Sequence, residues 1–205
     1  MAYGANVASD RQRTIAIARG RLSLERMTNH VIRPDAVADH DAIRSVNRLA
    51  FGGDAEPRLV DALRDGGFVR LSLVAEQVSR IIGHLLFSEL PIITKDGTLQ
   101  ALALAPMAVS PEFQNQGIGS ALLRRGLDEC RQKGHRIVVV VGHPRFYQRF
   151  GFSPALASAL QSPFSGEAFM AAELVRGALE GVGGRVEYPP PFGLGVQAGT
   201  DRIAR

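Results

Sequence analysis

Apolar positions along this chain change their period block by block, and each block reads as one element. His30 to Arg33 is a short extended run, after which Asp35 to Asp41 supplies helix-capping residues. Ile43, Val46, Leu49 and Ala50 recur at three- and four-residue steps, the apolar face of an amphipathic helix. Phe51-Gly-Gly-Asp54 breaks that helix, and Pro57 to Arg64 restarts a second, short one that stops before Gly66-Gly67. Two runs rich in Leu, Val and Ile follow, Phe68 to Glu76 and Ile81 to Leu90, joined by the polar Gln77-Val-Ser-Arg80 as in a hairpin. Asp96-Gly97 is a further turn signal, and Leu99 to Val109 runs back as a fourth strand. Pro106 cannot donate to a ladder, so a bulge or splay is expected beside Met107 and Ala108.

The second half opens on the clearest helix. Leu122, Leu123, Gly126, Leu127 and Cys130 share one face between Ser120 and Lys133, while Arg124, Arg125, Asp128 and Glu129 take the others. Gly134 ends it, and Ile137 to Val141 is a continuous apolar run suited to a strand buried on both sides. A helix between two such strands makes them parallel. Gly142-His-Pro144 leads into a short helix carrying Phe146 and Tyr147, closed by Gly151. Ala168 to Val175 and Arg185 to Tyr188 are expected to form a last antiparallel pair, stopped by Pro189 to Pro191. No internal repeat is present.

Between the fourth strand and the best helix lies the stretch with chemical content. Val109 ends the strand, Ser110-Pro111 turns the chain, and Gly117 and Gly119 stand where the helix begins. Strand, loop and helix in that order put unpaired first-turn N–H groups beside a backbone that glycine lets a ligand approach, a site for an anion. Gln114, Asn115 and Gln116 add donors without negative charge, which suits a pyrophosphate better than a metal. A Walker loop is excluded because Gly119 is followed by Ser120 and Ala121 with no lysine. A dinucleotide fingerprint fails because Leu122 occupies the place of its third small residue. An ordinary glycine turn before a helix is the remaining reading of this segment alone.

Val109-x-Pro111-x-x-Gln114-x-x-Gly117-x-Gly119 resembles the Gln/Arg-x-x-Gly-x-Gly/Ala signature of the GNAT superfamily of N-acetyltransferases. Phe146-Tyr147-Gln148-Arg149-Phe150-Gly151-Phe152 resembles that superfamily's Phe-Tyr-x-x-x-Gly-Phe segment. Both occur in family order, with room for one helix and one strand between them, and the likeness covers about residues 30 to 195. It implies an α+β fold with a mixed, mostly antiparallel central sheet of about six to seven strands and helices on both faces. It also implies acetyl-CoA as co-substrate and an amine acceptor bordered by the first two helices, where Asp54 and Glu56 are candidates to contact the amine, with simple solvation as the other reading. The cofactor-binding residues it implies are Met107, Ala108, Val109, Gln114, Asn115, Gln116, Gly117, Ile118, Gly119, Ser120, Phe146 and Phe150.

Acyl transfer from a thioester to an amine needs a neutral amine, a polarised carbonyl and a proton for the departing thiolate. Backbone N–H groups near Met107 or Ala108 are candidates to polarise the carbonyl. Tyr147 matches the family position whose hydroxyl serves as general acid; packing beneath the cofactor is its other reading. The base is open. Some relatives place a Glu on the fourth strand, yet Leu99 to Val109 contains no acidic residue. His143 is a candidate, with an N-capping or packing histidine as the alternative; Glu89 and a water chain are others. Two function classes follow: an acetyl-CoA dependent N-acetyltransferase acting on a small-molecule or peptide amine, and a non-catalytic acyl-CoA binding or sensing module.

Composition narrows the setting. A chain of 205 residues, 45% of them hydrophobic, is long enough for one domain with a sizeable core. Its net charge of +4 is unevenly placed: Arg11, Arg13, Arg19, Arg21 and Arg26 face only Asp10 and Glu25, leaving +1 for the rest. A nearly neutral folded part gives no footprint for nucleic acid. Residues 1–26 are expected to be a basic N-terminal extension and 27–205 the acetyltransferase domain, since Met27 onward reads like a protein start. The lone Cys130 rules out an internal disulfide, is expected to be a partly buried structural thiol rather than a nucleophile, and fits a cytoplasmic setting. No apolar run reaches the ~18 residues of a membrane span. A monomer or homodimer is expected.

Overall fold

A computed structural model of the chain describes residues 30–194; the expected basic extension, residues 1–26, lies outside them. Strand β1 (Val31–Pro34) is followed by helices α1 (His40–Phe51) and α2 (Ala55–Asp65), and then by three long strands. These are β2 (Val69–Gln77), β3 (Arg80–Thr94) and β4 (Gly97–Val109), an antiparallel meander with β1 antiparallel on the outer edge of β2. The β2–β3 turn is two residues long, with Val78 and Ser79 both at positive φ (48° and 60°), the backbone hand that matches strand twist. Helix α3 (Ile118–Gln132) crosses over to β5 (Ile137–Val141), which lies parallel to β4 as the apolar run predicts. After the short helices α4 (Pro144–Tyr147) and α5 (Pro154–Ala157) come β6 (Leu160–Gln161), β7 (Phe169–Glu173) and β8 (Gly184–Val186).

The sheet has eight strands, in the order β1-β2-β3-β4-β5-β7, with β8 on β3 and β6 on β8. The last two expected strands exist but do not pair with each other. β7 lies antiparallel to β5, and β8 lies antiparallel to β3 at Ile92↔Val186 and Ile93↔Arg185. The reason is two separate open edges. β3 runs beyond Ser88, where its pairing with β2 ends, and β5 has a free side away from β4, so each late strand satisfies a different row of backbone groups.

Alternation along the strands assigns one helix layer to each face. Leu73, Ala75, Leu85 and Phe87 pack with Leu122, Leu123 and Leu127 of α3. Val74, Ile81, Leu86 and Ala108 pack with Ile43, Val46, Val60 and Leu63 of α1 and α2. The apolar face of α1 differs from expectation at one place: Leu49 is 52% exposed, and the buried neighbour of Ile43 and Val46 is Asn47. Asn47 follows Ile43 by four residues and lies about 40° from it, whereas Leu49, six residues on, is turned about 120° from Ile43 and falls off the stripe.

Candidate active site

The parallel pairing of β4 and β5 covers only Leu102↔Val138 to Leu104↔Val140. Beyond Leu104 the two strands part, and on its other side β4 bulges, Leu85 facing Met107 while Phe87 faces Leu104. Two residues, Ala105 and Pro106, thus oppose Leu86, the splay anticipated from Pro106; the Ala105–Pro106 bond is cis. The gap widens into a cleft of about 920 Å³. One side is β4 from Leu104 to Val109, another is the loop before α3, a third is Val141 to Tyr147, and Ala50, Phe51, Glu56 and Leu59 of α1 and α2 close it.

The loop is built to receive an anion. Gln114 Nε2 donates to Val109 C=O (3.0 Å) and Gln116 Nε2 to Glu112 C=O (2.9 Å), fastening the loop to the strand end and to itself. Asn115 (φ 60°) and Gly117 (φ 86°) both have the positive φ found in anion-binding backbone nests. The first helical bond is Ala121 N–H to Gly117 C=O, 2.9 Å. Between Asn115 and Ser120 no backbone N–H finds an acceptor among the described residues. A Cβ at Gly119 would rest 3.8 Å from Phe146 Cζ and Val109 Cγ2 and 3.9 Å from Met107 Cε, so glycine there keeps the cleft floor open.

Two cations stand beside this loop without a carboxylate among the described residues: Arg124 over the Phe150 ring at 5.4 Å, and Arg149 over Phe150 at 5.6 Å and Phe146 at 5.9 Å. Arg149 lines the cleft. Stacked guanidinium groups that keep their donors free are suited to phosphate oxygens.

Met107, Val109, Gln114, Asn115, Gly117, Gly119, Ser120, His143, Phe146 and Tyr147 come together on the cleft. Four of the residues proposed for the cofactor stand elsewhere by side chain. Ala108 is buried toward α1, because it alternates with Met107 and Val109, and Ile118 is buried in the core beneath α3. Gln116 is turned to Glu112, and Phe150 lies between Arg124 and Arg149.

Tyr147 is buried between Phe146 (5.0 Å, 88°) and Phe152 (5.5 Å, 72°), and its ring reaches the cleft. Burial pushes its phenol up to about 12, so the hydroxyl stays protonated through the neutral range. Its aromatic edge contacts hold the ring at both faces. His143 sits at the N-cap position of α4, but only its carbonyl caps, accepting from Phe146 N–H (3.0 Å) and Tyr147 N–H (3.3 Å). Its exposed imidazole is neither a side-chain cap nor a packing group. Glu89 is bound to Arg70 and lies off the cleft, and Asp54 is held by Arg48 (2.6 Å).

Two buried titratable groups lie outside the cleft. Cys130, on the inner face of α3, is fully buried rather than partly so, and desolvation raises its thiol to about 12, which makes it the structural thiol expected. His84, in the middle of β3, was not legible as anything but an apolar-strand interruption. Asn47 Nδ2 donates to its Nδ1 (3.1 Å) and to Ile43 C=O (2.9 Å). That leaves the proton on Nε2, which donates to Ser72 Oγ (3.1 Å); Ser72 in turn donates to Asp35 (2.9 Å), itself paired with Arg64 (2.5 Å). A second, smaller cavity of about 460 Å³ lies between α1 and the β2–β3 turn, where Arg33 is already paired with Asp39 and Glu76 and Arg80 with Glu112. Among the described residues no helix is long and apolar enough to cross a membrane, and no group of three or more His, Cys, Asp or Glu could hold a metal ion.

A sheet parted beyond a parallel pair, with a free-amide nest and a buried tyrosine at the gap, defines an enzyme that handles a phosphate-bearing acyl carrier. The model of the acetyltransferase (GNAT) domain matches residues 31–155, and the chain belongs to that family. It is an acetyltransferase whose co-substrate is acetyl-CoA. It is similar to the uncharacterised N-acetyltransferase YhbS of Escherichia coli, 37% identical over 165 residues that make up 79% of this chain and 98% of that one. A second E. coli relative, the uncharacterised N-acetyltransferase YjhQ, is 34% identical over 65% of this chain and 73% of its own. Among solved structures, E. coli YhbS in complex with CoA matches with a TM-score of 0.74 at 36% identity, covering 80% of this chain and 92% of that one. A GNAT acetyltransferase of Brucella melitensis in complex with acetyl-CoA matches with a TM-score of 0.68 at 30% identity, covering 80% and 99%.

Proposed function

We propose that the protein moves the acetyl group of acetyl-CoA to a primary amine of a small molecule or peptide. The observation that carries this reading is the coincidence, in one cleft, of the free N–H groups from Asn115 to Ser120, the splayed end of β4 and the Tyr147 ring. When bound, acetyl-CoA supplies an activated acyl carbon and a thiolate leaving group. The nest and the unpaired Arg149 suit its diphosphate, and the row of β4 backbone groups left without a strand partner beyond Leu104 suits its amide-bearing arm. Relatives whose structures are named as complexes with CoA and acetyl-CoA support CoA as the carrier.

Tyr147 serves the departing sulfur. Full proton transfer from a phenol pushed up to about 12 to an alkyl thiolate of pKa about 8.5 is uphill by about 5 kcal/mol. The hydroxyl is therefore suited to hydrogen-bond developing charge on sulfur while keeping its proton, an electrostatic role. We assign to His143, exposed on the cleft wall, the proton that the attacking nitrogen loses, taken directly or through water. Release of free thiol from acetyl-CoA, measured with a broad amine panel, tests the reading. Amine-dependent release supports it; tight CoA binding with no release across the panel would make the cleft that of an acyl-CoA binding or sensing module.

A further inference from the structure

The acceptor side of the cleft carries a carboxylate that nothing in the fold uses. Partly buried carboxylates elsewhere are neutralised: Asp35 by Arg64, Asp39 and Glu76 by Arg33, Asp61 by Arg44, Glu129 by Arg125. Glu173, which has no ion pair among the described residues, accepts from the N–H groups of Gly177 (2.9 Å) and Leu179 (2.7 Å). Glu56 is the exception. It is half-buried on the cleft wall and has neither an ion pair nor a hydrogen bond among the described residues.

Its isolation is not for want of cations nearby in sequence. Arg48 and Arg58 both turn to Asp54, at 2.6 and 4.0 Å, so that the two acidic residues of this turn have separate fates. Asp54 closes the α1–α2 connection, and Glu56 is left over in the first turn of α2. The first turn of a helix, with its unpaired N–H groups, is a favourable place for a negative charge. Beside it on the same wall are Ala50, Leu59 and Phe51, the last 48% exposed despite its size. An apolar stretch with a fixed negative charge is complementary to a chain of methylenes ending in a cation. An aromatic face adds to that attraction.

The nitrogen that attacks a thioester must be neutral, so a permanent anion in the acceptor site gains little from the reacting group itself. Its natural partner is a second positive charge on the same substrate. We propose that Glu56 binds that second charge and that the acceptors are aliphatic amines bearing another ammonium group separated by an apolar chain. This rests on the amine-acetylating reading of the cleft and narrows its substrate class.

The test uses the full chain loaded with CoA, titrated calorimetrically with hexamethylenediamine and with hexylamine, which match in chain length and differ in the second ammonium. The diamine should bind the wild type about 10- to 100-fold more tightly, as expected for one charge-assisted contact, and Glu56→Gln should bring the two within about twofold of each other. Unchanged CoA affinity and thermal midpoint in Glu56→Gln show that the fold is kept; should that variant fail to fold, Glu56→Asp, which retains the charge on a shorter arm, should retain part of the preference. Equal affinity of the wild type for the two amines, or the same preference in Glu56→Gln, overturns the assignment. Thiol release with the same amines is read separately. A fall in turnover that is equal for both amines, with binding intact, would place Glu56 on the reacting nitrogen and overturn it as well. A Glu56-dependent binding preference without any thiol release would leave the cation site standing and overturn the acetyl-transfer reading instead.

Discussion

The ring of Tyr147 lies against the backbone of Gly142 so closely that a Cβ on residue 142 would stand 2.4 Å from Tyr147 Cε2 and 3.1 Å from Cδ2. Gly142 directly follows the last residue of β5, so the strand end itself forms the bed on which the tyrosine lies. The ring is fixed on its remaining sides by Phe146 and Phe152. Its hydroxyl is thereby positioned by strand, helix and core at once.

Gly142→Ala should expel the ring from that bed. Overpacking of this kind costs about 1–3 kcal/mol of stability, visible as a lower denaturation midpoint. Turnover should fall as well, while CoA affinity, which depends on the loop before α3, should change little. In a Tyr147→Ala background the same substitution has nothing to collide with and should be nearly silent; additive losses in the double variant would mean that residue 142 acts on something else.

Tyr147→Phe removes one oxygen and keeps the packing. If the hydroxyl stabilises sulfur in the transition state, turnover should fall by about 10²- to 10⁴-fold with acetyl-CoA binding nearly intact. Because burial pushes the phenol up to about 12, its deprotonation would cut activity only above that pH, so any alkaline limb seen near pH 8 to 10 should persist in the variant. Full turnover of Tyr147→Phe on the same amine would reduce Tyr147 to a packing residue.

Gly117 separates conformation from charge. At φ 86° any side chain is strained, although nothing lies within 4 Å of a Cβ built there. Gly117→Ala therefore reports strain alone, about 1 kcal/mol. Gly117→Asp adds a negative charge beside the free N–H groups and should weaken CoA binding at least about tenfold beyond the alanine variant. Equal affinities for the two variants, by calorimetry, would remove the loop from phosphate binding.

The parts visible in the sequence are those set by local rules. A glycine pair at a helix start, an apolar run of β-branched residues and Pro106 inside a strand each carry their own consequence, and the loop, β5 and the splay of β4 follow. What depends on the choice among distant partners was not visible. β7 and β8 are too short to specify which open edge they fill. Asp54 and Glu56 look alike until Arg48 and Arg58 choose between them. His84 draws its partners from residues 35, 47 and 72, on three other elements, so no local pattern announces it.

That histidine makes the last prediction. Enclosure in the core holds His84 down at about 3 from an ordinary 6.5, with the nearby Arg64 guanidinium acting in the same direction. Between those two values the unfolded chain binds a proton that the native state refuses, so stability falls as the pH falls, beginning below 6.5 and complete by about 3. The slope is about 1.4 kcal/mol per pH unit, or about 2 kcal/mol between pH 7 and pH 5. His84→Gln should be less stable at pH 7, because Asn47 or Ser72 loses a well-placed partner. It should nevertheless lose about 2 kcal/mol less than the wild type on going to pH 5, since every other titrating group is common to both proteins. Urea midpoints of the two proteins at the two pH values decide it: parallel losses would show that the buried network opens to let His84 protonate, and would take it out of the acid sensitivity of the fold.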